Sequence, residues 1–236
     1  MLDERRSAIA GFVLAAIVLL AATSLNAAII GQFGTDYSLA EVSSNQGIVV
    51  GDKTFANFDV TSNASGGAVA PTLDSISVSP VLLDGNLGLR FNGGWVAMGL
   101  YKQLIDTAIS FSVTASGNYQ IKDDMLKMTG VNADNGGVVS ITEAIFTQDP
   151  DTFNQPAVAN SHVWFIDDVH QQLIDQGEFA PSQTIWVQKD IIVSGGQDAD
   201  GIAHLSIFYQ TFSQVPEPAT LSLLALGGLA MLRRRK

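Results

Sequence analysis

Alternation between apolar and polar residues dominates the middle of the chain. It is clearest over residues 109–116, where Ile109, Phe111, Val113 and Ala115 alternate with serine and threonine. Successive side chains of a β-strand point to opposite faces, so this pattern predicts a strand with one buried face. Comparable short apolar runs recur along residues 46–212, separated by segments rich in Gly, Asn, Asp and Pro.

These runs predict an all-β domain. Strands are expected around residues 48–50, 55–60, 76–78, 89–91, 109–116, 119–121, 125–128, 138–146, 162–166, 186–193 and 203–212. The turn Gly51-Asp52 before an aromatic-rich run predicts a hairpin, and the glycines at 85–88 and 92–94 predict tight turns. Short strands about 8–12 residues apart with almost no helix favour a single β-sandwich or jelly roll.

Three segments fit this pattern less well. Residues 28–45 are expected to form a loosely structured leading segment or an edge strand, and residues 147–161, with Pro150 and Pro156, the longest loop. Residues 167–176 carry Val169 and Leu173 at helical spacing, so a short helix and a mobile connector both remain open there.

The N-terminus has the organisation of a secretory signal peptide. Arg5 and Arg6 precede an uncharged run over residues 8–22, which gives way to small residues before Ala27 and Ala28. The order of basic, apolar and small-residue regions predicts a signal peptide over residues 1–27, with cleavage between Ala27 and Ala28. An uncleaved N-terminal anchor is the alternative.

The C-terminus carries a second apolar segment. Residues 219–232 contain no charge, and as a helix they would reach about 21 Å at about 1.5 Å per residue, less than the roughly 30 Å hydrocarbon core of a bilayer. The segment is apolar on all sides, which disfavours the alternative of an ordinary core helix with one wet face. A basic stop follows it: Arg233, Arg234, Arg235 and Lys236.

Both apolar segments have their basic flank on the side of the chain terminus. Because positively charged flanks stay in the cytoplasm, this arrangement places the residues between them across the membrane. The predicted organisation is a signal peptide at 1–27, an exported β-sandwich domain at 28–214 and a sorting tail at 215–236. The expected partners are the Sec export machinery and, before processing, the membrane itself.

The tail as a whole resembles the PEP-CTERM sorting signal. Pro216, Glu217 and Pro218 form the triplet, and the short apolar segment and the basic cluster follow in the order typical of that signal. The resemblance implies recognition by an exosortase, a membrane-embedded peptidase or transpeptidase that acts near the triplet. It also implies an inner-membrane intermediate and delivery to the cell surface or to an exopolysaccharide biofilm matrix.

Composition narrows the function classes further. The formal net charge is −11, from 12 Lys and Arg against 23 Asp and Glu, so nucleic acid and anionic lipid surfaces are unfavourable partners. The chain has no cysteine, which excludes thiol nucleophiles, zinc-thiolate sites and disulfides. The exported domain therefore has to be stabilised by the packing of its core.

Candidate chemistry is sparse. His162 and His170 flank Asp167 and Asp168, which could be a metal site or a chance cluster. Residues 198–201, Asp-Ala-Asp-Gly, begin like a calcium loop but lack its distal ligands. A glycosidase-like carboxylate pair could come from two of Asp149, Asp151 and Glu143. A sugar-stacking platform and ordinary core packing are both open for Trp95, Trp164 and Trp186.

No catalytic residue, metal ligand or cofactor is assigned from these patterns. The sequence favours a non-enzymatic surface or matrix protein whose β-sandwich binds or supports extracellular polysaccharide. A secreted carbohydrate-active enzyme and a calcium-dependent adhesion module are the alternatives.

Overall fold

The computed structural model describes residues 27–167 and 169–217. These residues form fourteen strands, one short α-helix and one 3₁₀ turn at Gly99–Tyr101. In chain order the elements are β1 (Ile29–Ile30), β2 (Tyr37–Ser38), α1 (Leu39–Ser44), β3 (Ile48–Val50), β4 (Lys53–Ser65), β5 (Ser77–Leu83), β6 (Asn86–Met98), β7 (Leu104–Ala115), β8 (Tyr119–Asp134), β9 (Val138–Phe146), β10 (Ala159–Phe165), β11 (Gln171–Gln172), β12 (Ile174–Ser182), β13 (Thr184–Ser194) and β14 (Ile202–Pro216).

The strands form two sheets. The first sheet has the order β1-β3-β4-β7-β13-β9-β10-β11, and the second has the order β12-β8-β14-β6-β5-β2. Within both sheets the pairing is antiparallel, except between β1 and β3. The two sheets enclose a common core, so the described residues form a β-sandwich.

Burial follows the pleat of the strands. On β13 every second residue is buried, namely Ile185, Val187, Lys189, Ile191 and Val193, while the residues that alternate with them are partly exposed. The core between the sheets is rich in aromatic rings, and Phe91 stacks on Phe208 with 4.7 Å between the ring centroids. Alternation in the sequence thus places one face of each central strand in the core.

Three of the four edge strands of the two sheets are very short. The first sheet ends in β1 and β11, and one edge of the second sheet is β2; each of these strands has two residues. The other edge of the second sheet is β12, which has nine residues, contains Pro181 and is interrupted by a register shift between Glu178 and Ser182.

The structure confirms the all-β, two-sheet prediction. The strand expected at 109–116 is the second half of β7, with Ile109, Phe111, Val113 and Ala115 fully buried. The hairpin at Gly51-Asp52 joins β3 to β4. Several expected short strands are longer than predicted, because pairing continues through polar residues: the runs at 119–121 and 125–128 belong to the single strand β8.

Three local predictions are wrong. Residues 39–44 form helix α1, which begins with a hydrogen bond from the Glu41 backbone N–H to Ser38 Oγ (3.1 Å) and buries two apolar side chains. Residues 92–94 lie inside β6, where the register with β14 shifts, and form no turn. Residues 171–172 and 174–182 are strands, since β11 pairs with β10 and β12 with β8.

The two apolar segments predicted at 8–22 and 219–232 lie outside the described residues. Over residues 27–167 and 169–217, no helix combines the length and the apolar character needed to cross a bilayer.

Candidate functional site

One surface of the first sheet combines aromatic and polar side chains. We call it the outer face; it consists of the side chains that β7, β13, β9 and β10 turn away from the core. The outer face contains Asp106, Ala108 and Ser110 on β7, Trp186, Gln188, Asp190 and Ile192 on β13, Ser140, Thr142, Ala144 and Phe146 on β9, and Asn160, His162 and Trp164 on β10.

Two half-buried tryptophans mark the ends of this face. Trp186 lies opposite Phe146 of β9, and Trp164 lies opposite Ser140 of the same strand. The six-residue step from Ser140 to Phe146 corresponds to about 20 Å along the strand. The two indole rings therefore flank an extended strip of the sheet.

A shallow cavity of about 380 Å³ lies on this strip. Ala108 and Ala144 contribute only methyl groups, which leaves room above the sheet, and polar groups are supplied by Thr142, Asn160, Gln188 and Asp190. Hydroxyl, amide and carboxylate groups beside aromatic rings can hydrogen-bond and stack on a hydroxyl-rich ligand.

The carboxyl group of Asp190 interacts with that of Asp106, which lies diagonally across from it on β7. Partial burial raises the pKa of Asp190, and the hydrogen bond with Asp106 and the repulsion between the two carboxyl groups raise it further. Carboxyl groups that share a hydrogen bond are closer together than the roughly 5–9.5 Å that glycoside hydrolysis requires. The pair therefore resembles a proton-sharing dyad and not a hydrolytic one.

The residues considered for a carboxylate pair are not brought together. The Glu143 side chain is fully buried between the sheets. Asp149 lies in the loop after β9, where its carboxylate accepts hydrogen bonds from the Asp151 N–H (3.0 Å) and the Thr152 hydroxyl (3.0 Å). Trp95 cannot stack on a sugar, because its side chain is buried. Its indole N–H donates to Thr107 Oγ1 (3.1 Å).

The histidines have separate partners. His162 lies on the outer face with Nε2 2.9 Å from Ser140 Oγ, whereas His170 Nδ1 lies 3.0 Å from Asp167 Oδ2 in the loop before β11. Asp168 lies outside the described residues. Among those described, no cluster of three or more His, Asp or Glu side chains is arranged for a metal ion, and this includes residues 198–201.

The chain leaves the sandwich through β14. The strand pairs with β8 as far as Pro216, which lies opposite Tyr119, and the Glu217 N–H donates to the Asn118 carbonyl (2.7 Å). The boundary expected between residues 214 and 215 thus falls inside β14. Pro218 and the basic stop, Arg233, Arg234, Arg235 and Lys236, lie outside the described residues.

A polar contact fastens this end of β14 to the first sheet. Lys53 Nζ donates to Asp52 Oδ1 (3.0 Å) and to Gln214 Oε1 (2.8 Å), and Gln214 Nε2 donates in turn to Asp52 Oδ2. We call these three residues the rim latch. Lys53 is 2% exposed, while the Asp52 side chain is 29% exposed.

The family model described as the PEP-CTERM protein-sorting motif matches residues 214–236. The chain carries a PEP-CTERM sorting motif. This motif is a substrate signal for an exosortase, and PEP-CTERM proteins are exported and processed at the membrane. The match starts at Gln214, so the PEP-CTERM motif begins within the last strand of the sandwich.

Other comparisons add little. No curated protein matches the chain. Three solved structures are similar at low scores: TmCBM61 in complex with β-1,4-galactotriose (9% identity, 66% of this chain and 88% of that chain, TM-score 0.29), a family two carbohydrate esterase from Cellvibrio japonicus (17%, 69% and 36%, TM-score 0.23) and the CBM22-1 xylan-binding domain of Xyn10C from Paenibacillus barcinonensis (14%, 79% and 97%, TM-score 0.22). Similarities at this level show neither a ligand nor an activity for the chain.

Proposed function

We propose that this is a non-enzymatic exported protein that an exosortase delivers to the cell surface or biofilm matrix, where the outer face binds extracellular polysaccharide. The observation that carries the binding proposal is the strip between Trp164 and Trp186. Its alanine floor and flanking amides suit a sugar chain lying along the sheet, because the indole rings offer apolar faces and the amides offer hydrogen bonds.

The proposal also assigns the three parts of the chain. Residues 1–27 act as the signal peptide, with cleavage between Ala27 and Ala28, and the sandwich is exported. The triplet Pro216, Glu217 and Pro218 is the processing motif. The four basic residues at 233–236 hold the tail at the inner membrane until the exosortase acts.

Binding is tested by affinity electrophoresis and calorimetry with the exopolysaccharide of the producing strain. We expect Trp164→Ala and Trp186→Ala each to weaken binding about tenfold, which corresponds to about 1.4 kcal/mol. Asn160→Ala and Gln188→Ala should weaken it less while preserving the packing of the sheet. Tyr101→Ala is the matched control, because Tyr101 is an aromatic residue that is 64% exposed and lies outside the strip.

Unchanged binding in both tryptophan variants, with native melting temperatures, would refute the assignment of the outer face. Cleavage of the polysaccharide by the wild-type protein would favour the enzymatic alternative. Stabilisation by calcium, lost on chelation, would favour an adhesion module.

Sorting is tested separately in the producing cells. Replacing Pro216, Glu217 and Pro218 by alanine should leave the protein in the inner membrane with its basic stop attached, as mass spectrometry of the C-terminus would show. Replacing residues 149–151, Asp-Pro-Asp, in the loop after β9 provides a triplet control. Normal surface delivery of the altered protein would refute exosortase processing at this triplet.

A further inference from the structure

A cluster of polar side chains is enclosed between the two sheets. Lys189 and Glu143 come from the first sheet, and their side chains are 0% exposed. Asp124 and Gln210 come from the second sheet and are 1% and 0% exposed. Neither the outer face nor the sorting tail requires these groups, and an apolar core would ordinarily exclude them.

Strand register brings the four side chains together. Lys189 lies directly opposite Glu143 in the pairing of β13 with β9. Lys189 Nζ donates to Glu143 Oε2 and, across the gap between the sheets, to Gln210 Oε1. Gln210 Nε2 donates to Asp124 Oδ2 (3.4 Å), which also accepts from Ser161 Oγ (3.2 Å). The amine, the carboxamide and two carboxyl groups thus form one continuous chain of contacts.

The charges in this cluster do not cancel. Two carboxylates and one ammonium would leave a net negative charge in a site without water contact, which is strongly unfavourable. Burial raises the pKa of Asp124 to about 6, and burial lowers the pKa of Lys189 to about 7. Asp124 therefore holds a proton more readily than an ordinary aspartate, and Lys189 gives one up more readily than an ordinary lysine.

We propose that Lys189 and Gln210 form an intramolecular amide bond, which joins β13 to β14 and releases ammonia. Lys189 supplies the nucleophilic nitrogen and Gln210 the electrophilic carbonyl carbon, Cδ. Glu143 is the base next to the nucleophile, and Asp124 is the acid next to the leaving amide nitrogen. Enclosure holds all four groups in contact, so the reaction needs no external enzyme.

The atoms and charges balance. The Glu143 carboxylate takes one proton from the Lys189 ammonium, and the freed electron pair forms the bond from Nζ to Cδ. The Asp124 carboxyl group donates a proton to Nε2, the bond from Cδ to Nε2 breaks, and ammonia leaves. A second proton from Nζ returns to Asp124. The products are a secondary amide and two neutral carboxylic acids, so the reaction removes the buried ions without an oxidant or cofactor.

The positions of the carboxyl groups favour Gln210 over Glu143 as the electrophile. Asp124 contacts the nitrogen that must leave from Gln210, whereas Glu143 contacts only the attacking amine among the described residues. Condensation of Lys189 with Glu143 would release water in place of ammonia. The mass of the product therefore distinguishes the two reactions.

The rim latch provides a natural control. It has the same three residue types, since Lys53 contacts both Gln214 and Asp52. Although burial acts to raise the pKa of Asp52, hydrogen bonds from Gln214 and Lys53 outweigh it and hold that pKa below its ordinary value. Asp52 is therefore ionised and has no proton to give a leaving amine, so the rim latch is expected to stay uncrosslinked.

The test is mass spectrometry of the denatured full chain, followed by peptide mapping. We expect the wild-type mass to be one ammonia below the sequence mass after terminal processing is assigned, and a branched peptide to join the segments of Lys189 and Gln210. Lys189→Met should abolish the deficit and the branched peptide, and Lys53→Met should retain both. Gln210→Glu should form the same branch with loss of water.

Mapping is essential because Asn-Gly sequences such as Asn92-Gly93 can also lose ammonia by cyclising. Recovery of Lys189 and Gln210 from the wild-type chain in separate, unmodified peptides would overturn the proposal. A branch between Lys189 and Glu143 would also overturn it. Both outcomes are read on the wild-type protein, so they do not depend on the folding of any variant.

Discussion

The rim latch leads to a quantitative prediction about how the exit strand is held. Lys53 on β4 is almost completely buried, and it donates to Asp52 in the preceding hairpin turn and to Gln214 near the end of β14. Lys53→Met keeps most of the aliphatic stem of the side chain but removes the ammonium group. The substitution therefore isolates the polar contacts from the packing around them.

The expected loss follows from the two hydrogen bonds. Hydrogen bonds to charged groups contribute about 1.5–3 kcal/mol each. The Asp52 carboxylate is 29% exposed, so water replaces part of what it loses. Methionine also fits the buried stem without a charge to desolvate. We therefore expect Lys53→Met to lower the free energy of unfolding by about 2 kcal/mol at neutral pH, near the value of a single such bond.

The dependence on pH gives the prediction a second readout. The latch holds the pKa of Asp52 below its ordinary value of 3.8, so its stabilising effect is present above that value and is lost as the pH falls through the lower folded pKa. The difference between wild type and Lys53→Met should be largest at neutral pH and smaller in strong acid. Urea unfolding of the full chain in mild detergent at a series of pH values measures it.

A surface ion pair provides the control. Lys122 contacts Asp123 at 3.3 Å and its side chain is 43% exposed, so Lys122→Met should change stability by less than about 0.5 kcal/mol. Equal stability of wild type and Lys53→Met at neutral pH would refute the reasoning. So would a difference of constant size across the acid range.

Two further predictions concern the sheets. Gly88→Ala should destabilise the protein by about 3 kcal/mol in urea unfolding, because its Cβ would lie 1.9 Å from the Gln210 carbonyl oxygen, while Gly94→Ala, with no atom within 4 Å, should be much milder. Asp106→Asn should lower the pKa of Asp190 in an NMR titration, and it should flatten the loss of stability that occurs as the pH rises through that pKa. An unchanged Asp190 midpoint would contradict the proposed pairing.

The fold class could be predicted because residues 109–116 alternate strictly and comparable short apolar runs recur between turn-rich segments. The buried face of β7 is visible in the sequence since serine and threonine occupy the opposite face. Helix α1 was missed because six residues give less than two helical turns, so its formation depends on packing and on the cap at Ser38. Strand β12 was missed because its pairing with β8 is a long-range interaction.

The candidate sites could be predicted only in part from the sequence. Trp164 and Trp186 could be named from the sequence, but the strip between them depends on the register of three strands. One feature of the sequence indicates the buried cluster. Lys189 falls at an inward-facing position of β13, where the other inward-facing residues are Ile and Val. The contact between Lys189 and Gln210 could not be predicted from the sequence, because the two residues lie on different sheets.

The short strands at the sheet edges also have a consequence for aggregation. A sheet margin with many free N–H and C=O groups invites a neighbouring molecule to add a strand, which is a route to insoluble aggregates. Three of the four margins here expose only two residues in extended form, and the fourth is broken by an irregular register and a proline. The sandwich can therefore be crowded among its own copies and still resist stacking into fibres.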